Sequence, residues 1–310
     1  MIMQGQFGVS SMSGRLTSVA MRSPKAILKA DHVEWHYEKP LDGEALTRQF
    51  DAFAELLSSA GTQILWLSDE EDDLADSIFT YDASFMLPSG AVLLQPGKEL
   101  RRGEVDLHKE FYDSVGVPIL GSVQLPGTFE GGDCFWLDHS TLAVGRGFRS
   151  NSEGIAQFTE IVNSAGIDVV SFDLPDYKGP EACLHLLSLV SPLDVDLALV
   201  YAPLLPDGLR DLMVERGYQL VEVPVEEFEA SSGLCLNVLA TGPREVIAID
   251  GFPLTLSLLE GAGCDVAVFA GDELCIPCEG GPTCLTRPLG RDTYKKPTNP
   301  QPNNRSHWGH

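Results

Sequence analysis

The segment AGTQILWL at residues 60–67 carries the pattern that decides the fold: the small residue Ala60 is followed by Gly61 and then by an apolar run of strand length. A glycine directly after a helix adopts the left-handed cap conformation that other residues adopt only with strain. The pattern returns as VGVPILGS at 115–122, AGIDVVSF at 165–172, RGYQLVEV at 216–223 and AGCDVAVF at 262–269. Its glycines are separated by 55, 50, 51 and 46 residues, so the sequence repeats with a period near 50.

An amphipathic stretch of helical length precedes each of these glycines. In the first stretch, Leu46, Phe50, Phe53 and Leu57 recur three or four residues apart, which is the spacing of one helix face. The predicted helices cover residues 45–60, 105–115, 152–165, 207–216 and 253–262. Shorter apolar runs predict further strands at 84–87, 91–94, 135–137, 142–144, 197–201, 234–239 and 245–249.

The predicted unit is therefore strand, strand, helix, strand, repeated five times. Repeats of this length indicate a propeller or a solenoid, and an ordinary α/β sheet with helices of similar length is the alternative. Turn chemistry, helix length and period all agree, which favours five repeats around a pseudo-fivefold axis. We predict one α/β domain over residues 1–290 and a disordered tail over 291–310, which is rich in Pro and Asn and has no apolar period.

Composition limits the class of function. The chain of 310 residues has 45 acidic and 21 basic residues and a net charge of −24, so a nucleic-acid partner is not expected. No apolar stretch reaches membrane-spanning length and the first residues lack a signal-peptide core, which predicts a cytoplasmic protein. Seven cysteines without a secretory signal predict free thiols. The acidic excess would attract a small cationic substrate.

The unusual polar residues recur at one place in the repeat, in the loop that leaves the strand after each cap glycine. If the repeats surround an axis, these loops converge at one end of it and form a cleft. The residues are Asp76 and Asp82 (15 and 21 residues after Gly61), Glu130 (14 after Gly116), His185 (19 after Gly166) and Cys284 (21 after Gly263).

Each of these motifs has a structural alternative. Glu130 precedes two glycines, which suits a close approach to a ligand or an acidic surface turn. His185 lies in an apolar run, where a histidine is either a core residue or a desolvated general acid/base. Cys284 follows a glycine-rich turn, where it is either an activated thiol or a buried inert one. Cys275 and Cys278 form a CxxC motif, but no second ligand pair exists, so no metal site is predicted.

Two arginines stand directly before predicted helices. Arg101 precedes the helix at 105–115 and Arg149 precedes the helix at 152–165. Arginine binds carboxylates with two parallel hydrogen bonds, so both are candidates for a substrate carboxylate, and surface salt bridges are the competing interpretation.

Taken together, the motifs resemble the dimethylarginine dimethylaminohydrolase branch of the guanidino-group-modifying superfamily, which also contains arginine deiminases and amidinotransferases. The resemblance covers residues 15–289. It rests on DSIFTYD at 76–82, QPG at 95–97 with RRGE at 101–104, EGGD at 130–133, RSNSEG at 149–154, LHL at 184–186 and GGPTC at 280–284, in family order. The superfamily has the five-bladed α/β-propeller (pentein) fold, which agrees with the repeat.

The resemblance implies a role for each position. Cys284 would be the nucleophile and His185 the general acid/base, with Glu130 orienting His185 or pairing with the guanidinium. Asp76 and Asp82 would hold the cationic end of the substrate. Arg101 and Arg149 would bind its α-carboxylate.

Two positions depart from the family pattern. Leu187 stands where arginine deiminases carry an aspartate that bridges guanidinium nitrogens and where dimethylaminohydrolases commonly carry lysine. Tyr81 replaces an acid often found in the dimethylaminohydrolase motif. Both departures concern substrate preference, so Leu187 is predicted to determine specificity.

We therefore expect hydrolysis of a guanidino compound without a cofactor, with Nω-methylated arginine as the substrate and a covalent thiouronium on Cys284 as the intermediate. Arginine deiminase and amidinotransferase activities are the alternatives, and a non-catalytic or zinc-binding module is a remote one. The expected partner is the small cationic substrate, and the sequence leaves a homodimer open.

Overall fold

The protein, described here from a computed structural model over residues 7–70, 73–179 and 184–293, forms five three-stranded sheets. In chain order its strands and helices are β1 (Leu16–Met21), α1 (His32–Trp35), α2 (Gly43–Ser59), β2 (Gln63–Trp66), β3 (Ser84–Leu87), β4 (Gly90–Leu93), α3 (Glu104–Val115), β5 (Ile119–Ser122), β6 (Cys134–Asp138), β7 (Thr141–Arg146), α4 (Ser152–Ser164), β8 (Asp168–Asp173), β9 (Val190–Asp194), β10 (Leu197–Val200), α5 (Leu209–Glu215), β11 (Gln219–Glu222), α6 (Val225–Ala230), β12 (Leu239–Gly242), β13 (Glu245–Ile249), α7 (Pro253–Gly261), β14 (Asp265–Phe269) and β15 (Arg287–Arg291).

Every sheet has the same topology. The first two strands pair antiparallel, as a hairpin in four of the five sheets, and the third strand returns after the helix to pair parallel with the second. Four sheets are consecutive in sequence, in the orders β3-β4-β5, β6-β7-β8, β9-β10-β11 and β12-β13-β14. The fifth, β15-β1-β2, joins the two ends of the chain, because β15 pairs antiparallel with β1. The predicted five-repeat propeller is confirmed.

The five cap glycines have the predicted backbone conformation. Their φ angles lie at positive values of 83°, 78°, 78°, 89° and 87° along the chain. In each repeat this left-handed residue ends the helix, and the third strand begins two or three residues later. The period seen in the sequence therefore reflects one repeated helix-to-strand turn.

Burial decreases from the first strand of each sheet to the third. β3, β9 and β12 are buried along their whole length, whereas β2 and β11 each have two half-buried residues between two exposed ones. The first strands β9 and β12 lie against each other, as do β15 and β3. The first strands therefore face the axis, and the helices cover the outside; α2 buries Leu46, Phe50, Phe53 and Leu57 as predicted.

Two sequence predictions differ from the structure. Residues 234–239 were expected to be a strand, but a 3₁₀ turn occupies Leu234–Leu236 and β12 begins only at Leu239. A short apolar run fits a buried turn as well as a buried strand, so periodicity could not separate them. Arg291 was assigned to the tail, but it ends β15 and donates hydrogen bonds to the carbonyls of Gly14 and Ala240. The rest of the predicted tail from residue 294 lies outside the described residues.

In the part of the chain that the structure describes, none of the helices combines the length and the apolar character required to cross a membrane.

Candidate active site

The loops that precede the first strand of each sheet meet around one cavity of about 420 Å³. All of the repeats contribute to its lining, as the repeat pattern predicted. Of the candidate residues, it is lined by Asp76, Asp82, Arg101, Arg149, His185, Leu187 and Cys284. Glu130 does not line the cavity, because it is fully buried behind His185 and Arg149.

Cys284 is half-buried and follows the glycine-rich turn at residues 280–283. Its Sγ atom lies 3.2 Å from Nδ2 of Asn237. Sequence reasoning missed Asn237, although a signal was present: it lies 20 residues after Gly217, at the place in the fourth repeat where the other repeats carry their polar residue. The wrong strand prediction at 234–239 concealed it.

His185 and Glu130 form a buried pair. Nε2 of His185 lies 2.7 Å from Oε2 of Glu130. The Glu130 carboxylate also accepts hydrogen bonds from the backbone N–H of Gly97 at 2.9 Å and from Arg149 at 3.3 Å. Burial raises the pKa of Glu130, but Arg149 and His185 outweigh burial and hold that pKa well below its usual range.

The protonation of the His185 ring follows from these contacts. Glu130 is ionised and only accepts, so Nε2 of His185 carries a proton and donates it. The backbone N–H of Ser188 donates to the same side chain, which fixes the other side of the ring as an acceptor. His185 is therefore held in one orientation, with one proton directed at a carboxylate.

Gly132 allows this ring to occupy its position. A Cβ at residue 132 would lie 2.5 Å from Nδ1 of His185, closer than any side chain permits. The adjacent Asp133 accepts from the backbone N–H of Leu186 at 3.0 Å, which links the EGGD turn to the turn after His185. Burial raises the pKa of Asp133 to about 6.

Asp82 lies beside this pair and is held from two sides. One carboxylate oxygen accepts from Nη1 of Arg101 at 2.7 Å, and the other accepts from the backbone N–H of Gly132 at 2.8 Å. Arg101 also makes two hydrogen bonds of 2.9 Å to Glu104. Arg101 is thus buried between two carboxylates, whereas the sequence predicted it to bind the substrate carboxylate.

A second group of side chains forms another part of the cavity wall. Asp76 accepts from the hydroxyl of Tyr37 at 2.7 Å and from Nζ of Lys98 at 2.7 Å. Lys98 also lies 4.9 Å from the centre of the Trp35 ring. Tyr37, Lys98 and Trp35 were not predicted as site residues, since none of them belongs to one of the motifs described above.

Leu187, the predicted specificity residue, lines the cavity from a 3₁₀ turn at residues 186–188. Its side chain belongs to the hydrophobic core around β9 and β10, and only 6% of its surface is exposed.

Asp82, Glu130 and His185 each offer one potential ligand atom, and these atoms lie within 4.8 Å of one another, close enough to bind one metal ion. Their existing partners fit a divalent ion poorly, because Arg101 and Arg149 already neutralise the two carboxylates. That no metal is required remains a prediction.

Comparison with known proteins identifies relatives over most of the chain. The model of the family "N,N dimethylarginine dimethylhydrolase, eukaryotic" matches residues 31–252. An uncharacterized protein of Aeropyrum pernix is 31% identical over 250 residues, covering 79% of this chain and 84% of that protein. The N(G),N(G)-dimethylarginine dimethylaminohydrolase of Streptomyces coelicolor is 29% identical over 270 residues, covering 83% and 96%. An arginine deiminase of Mycoplasma capricolum is 28% identical over 200 residues, covering 54% and 48%.

Among solved structures, a dimethylarginine dimethylaminohydrolase from Pseudomonas aeruginosa, a cysteine-to-serine mutant complexed with citrulline, has the same fold. Its TM-score is 0.71 at 21% sequence identity, and the match covers 88% of this chain and 99% of that chain.

Proposed function

Since the chain belongs to the dimethylarginine dimethylaminohydrolase family of the amidinotransferase superfamily and so hydrolyses C–N bonds of guanidino compounds, we propose that its substrate is an Nω-methylated arginine. The products are citrulline and methylamine or dimethylamine. The observation that carries the proposal is that Cys284, His185 and Asp82 line one cavity, with Glu130 directly behind His185.

Cys284 is the nucleophile in this proposal. A guanidinium is resonance-stabilised and a poor electrophile, so its attack requires a thiolate rather than a hydroxyl. The Sγ–C bond forms first and gives a tetrahedral intermediate. The bond from carbon to the methylated nitrogen then breaks, and a thiouronium remains on Cys284.

His185 moves the protons of both steps. The ring nitrogen that accepts from Ser188 gives up that contact and takes the proton of the Cys284 thiol, which makes the ring an imidazolium. The leaving amine then takes this proton, so that it departs neutral and the imidazole remains. The imidazole then takes a proton from water, whose oxygen attacks the thiouronium carbon. The S–C bond breaks, and citrulline and the thiol are released. Glu130 stabilises the imidazolium and orients the ring, since its carboxylate is bound to Nε2 and is closed off from the cavity.

Asp82 holds the guanidinium. Its carboxylate lies at the cavity wall beside Gly132, with its orientation fixed by Arg101. A preoriented carboxylate favours a cation that must stay in one position during attack. Arg101 is a positioning residue in this scheme, and Glu104 in turn holds Arg101.

Arg149 is the candidate for the α-carboxylate of the substrate. It lines the cavity, and its contacts with Glu130 are long, 3.3 and 3.4 Å. A guanidinium carries five N–H donors, so Arg149 can bind a second carboxylate while it keeps its contacts with Glu130. A role for Asp76 in holding the substrate stays a prediction; its two oxygens accept from Tyr37 and Lys98.

One product assay tests the proposal against its alternatives. The purified protein is incubated with dimethylarginine, monomethylarginine, arginine and agmatine, and with arginine plus an acceptor amine. We expect citrulline and dimethylamine in equal amounts from dimethylarginine. Citrulline and ammonia from arginine alone would identify a deiminase, which the similarity to the Mycoplasma capricolum enzyme makes the second candidate. An amidino group transferred to the acceptor would identify a transferase, and no turnover would overturn the proposal.

A further inference from the structure

We infer that the side-chain amide of Asn237 is a catalytic group, which holds the sulfur of Cys284 and stabilises its thiolate through an N–H···S hydrogen bond. The inference rests on the proposed nucleophilic role of Cys284. Nδ2 of Asn237 lies 3.2 Å from Sγ, within the reach of a hydrogen bond to sulfur. Asn237 itself is buried, with 8% of its surface exposed, so bulk water does not compete freely for its donor.

The orientation of the amide is fixed by a second hydrogen bond. Oδ1 of Asn237 accepts from the backbone N–H of Thr283 at 3.0 Å. Reversing the amide would place an NH₂ group against that N–H and an oxygen against the sulfur. Only the observed orientation pairs both groups, so the donor faces Cys284.

The turn before Cys284 is shaped around this asparagine. A Cβ at Gly281 would lie 2.5 Å from Cγ of Asn237, so only glycine lets the turn approach the amide this closely. Thr283 also donates from Oγ1 to the carbonyl of Val238 at 3.2 Å. The segment before β12 therefore holds residues 281–284 by several contacts, and one of them reaches the reacting atom.

A neutral donor suits this position electrostatically. A thiolate next to lysine or arginine would be stabilised, but the same charge would repel a guanidinium substrate. An amide stabilises negative charge on sulfur without adding positive charge, and a hydrogen bond strengthens when its acceptor becomes ionised. Asn237 thus reconciles a reactive thiolate with a cationic substrate.

The experiment measures how fast iodoacetamide alkylates Cys284 as a function of pH, with the modified residue identified by peptide mass spectrometry. Asn237→Ala removes the donor. Asn237→Asp keeps the shape and the acceptor for Thr283 but replaces the donor with an anionic oxygen. We expect the midpoint of the alkylation profile to move up by about one pH unit in Asn237→Ala, which is about tenfold less thiolate near neutral pH, and further in Asn237→Asp.

The matched control is Ser191→Ala. The Ser191 hydroxyl donates to the carbonyl of Leu236 at 2.6 Å and accepts from the N–H of Val238 at 3.3 Å, so its loss loosens the same segment without touching the amide or the sulfur. The midpoint should stay where it is in this variant. An unchanged midpoint in both Asn237 variants, or an equal shift in Ser191→Ala, would overturn the inference. If Cys284 in the wild-type protein is not alkylated selectively, the proposed nucleophile fails instead.

Discussion

His185 and Glu130 are 55 residues apart in sequence, yet Nε2 of the first lies 2.7 Å from Oε2 of the second. The two residues come from loops before different sheets, and Gly97 and Arg149 complete the contacts of the carboxylate. Since Glu130 is fully buried and His185 lines the cavity, only His185 of this pair can contact a bound substrate.

Glu130→Gln should lower kcat/KM by a factor on the order of 10² to 10⁴, because the imidazolium that forms in each step loses its counter-ion. The fold should persist, because glutamine can still accept from Gly97. The pKa of Glu130 is held below its usual range, so we expect the acid limb of the wild-type pH profile to belong to another group. Steady-state kinetics from pH 5 to 9 measure both effects. Exposed Glu110 lies outside the cavity lining and provides the control variant, Glu110→Gln, and equal activity in the two variants would contradict the role of Glu130.

Cys284→Ser should abolish turnover while the protein stays folded, because a serine hydroxyl at neutral pH does not attack a guanidinium. Cys278 lines the same cavity, but burial raises the pKa of its thiol above its usual range, so Cys278→Ser should retain most activity. Citrulline formation and circular dichroism measure the two properties. If the purified wild-type protein contains stoichiometric zinc that is lost in Cys278→Ser together with activity, the cofactor-free mechanism is wrong.

The two cavity arginines should respond differently to substitution. Arg149→Ala should lower kcat/KM roughly 10- to 100-fold for a substrate with an α-carboxylate, relative to the same substrate without the carboxylate. This is the loss expected from one charge-assisted hydrogen bond. Methylarginine and methylagmatine form the pair to compare. An effect of the substitution through Glu130 changes kcat/KM of both substrates alike, so it cancels in the ratio of the two kcat/KM values.

Arg101→Ala should instead lower the free energy of unfolding by about 3–5 kcal/mol, since it leaves Asp82 and Glu104 buried without their partner. Urea denaturation measures this loss. A stable Arg101→Ala protein with a changed ratio between the two substrates would restore Arg101 as the residue that binds the carboxylate.

The sequence predicted the fold because every repeat carries the same local signal. Gly61 and its four equivalents require a left-handed backbone, and apolar helix faces precede them, so local chemistry and the overall architecture agree. β15 was not predicted, since its partner β1 lies at the other end of the chain. The loop residues converged as expected because they share one place in the repeat. The sequence did not reveal which partner each side chain binds. Arg101 binds Asp82 and Glu104, where the resemblance implied the substrate carboxylate, and only packing in three dimensions decides this.

His108 should make the fold sensitive to acid. It is buried, and its Nδ1 shares a hydrogen bond of 2.9 Å with the Ser84 hydroxyl. Burial, with a smaller effect of nearby arginines, lowers the pKa of His108 to about 3. Between pH 6.5 and about 3 the unfolded chain binds a proton on this imidazole and the folded chain does not, so stability falls as pH falls through that window. At pH 5 the loss amounts to about 2 kcal/mol.

Urea denaturation at pH 5 and pH 7.5 tests the role of His108. In His108→Phe the difference in the free energy of unfolding between pH 7.5 and pH 5 should shrink by that amount, whatever the variant does to stability at pH 7.5. His139 is exposed and provides the control, since His139→Gln should leave the difference unchanged. An unaltered difference in His108→Phe would show that other groups cause the acid sensitivity.

Leu187 should favour methylated substrates. Its side chain lines the cavity and offers no hydrogen-bond acceptor, so it can pack against N-methyl groups at about 0.8 kcal/mol for each buried carbon. Two methyl groups then contribute about 1.5 kcal/mol, close to tenfold in kcat/KM. Unmethylated arginine would in addition leave a buried N–H without an acceptor, a cost of about 1–3 kcal/mol. We therefore expect dimethylarginine to exceed arginine at least tenfold in kcat/KM.

Two substitutions separate the two contributions to this preference. Leu187→Ala removes the packing surface and should reduce the preference without adding charge. Leu187→Asp adds an acceptor for unmethylated nitrogens and should reduce it further or reverse it. Because the side chain is also part of the core, thermal unfolding of both variants must accompany the kinetics, and only the substrate ratio within one variant is interpreted. Leu187 does not determine the substrate preference if the wild-type enzyme processes both substrates equally, or if neither substitution changes the ratio of their kcat/KM values.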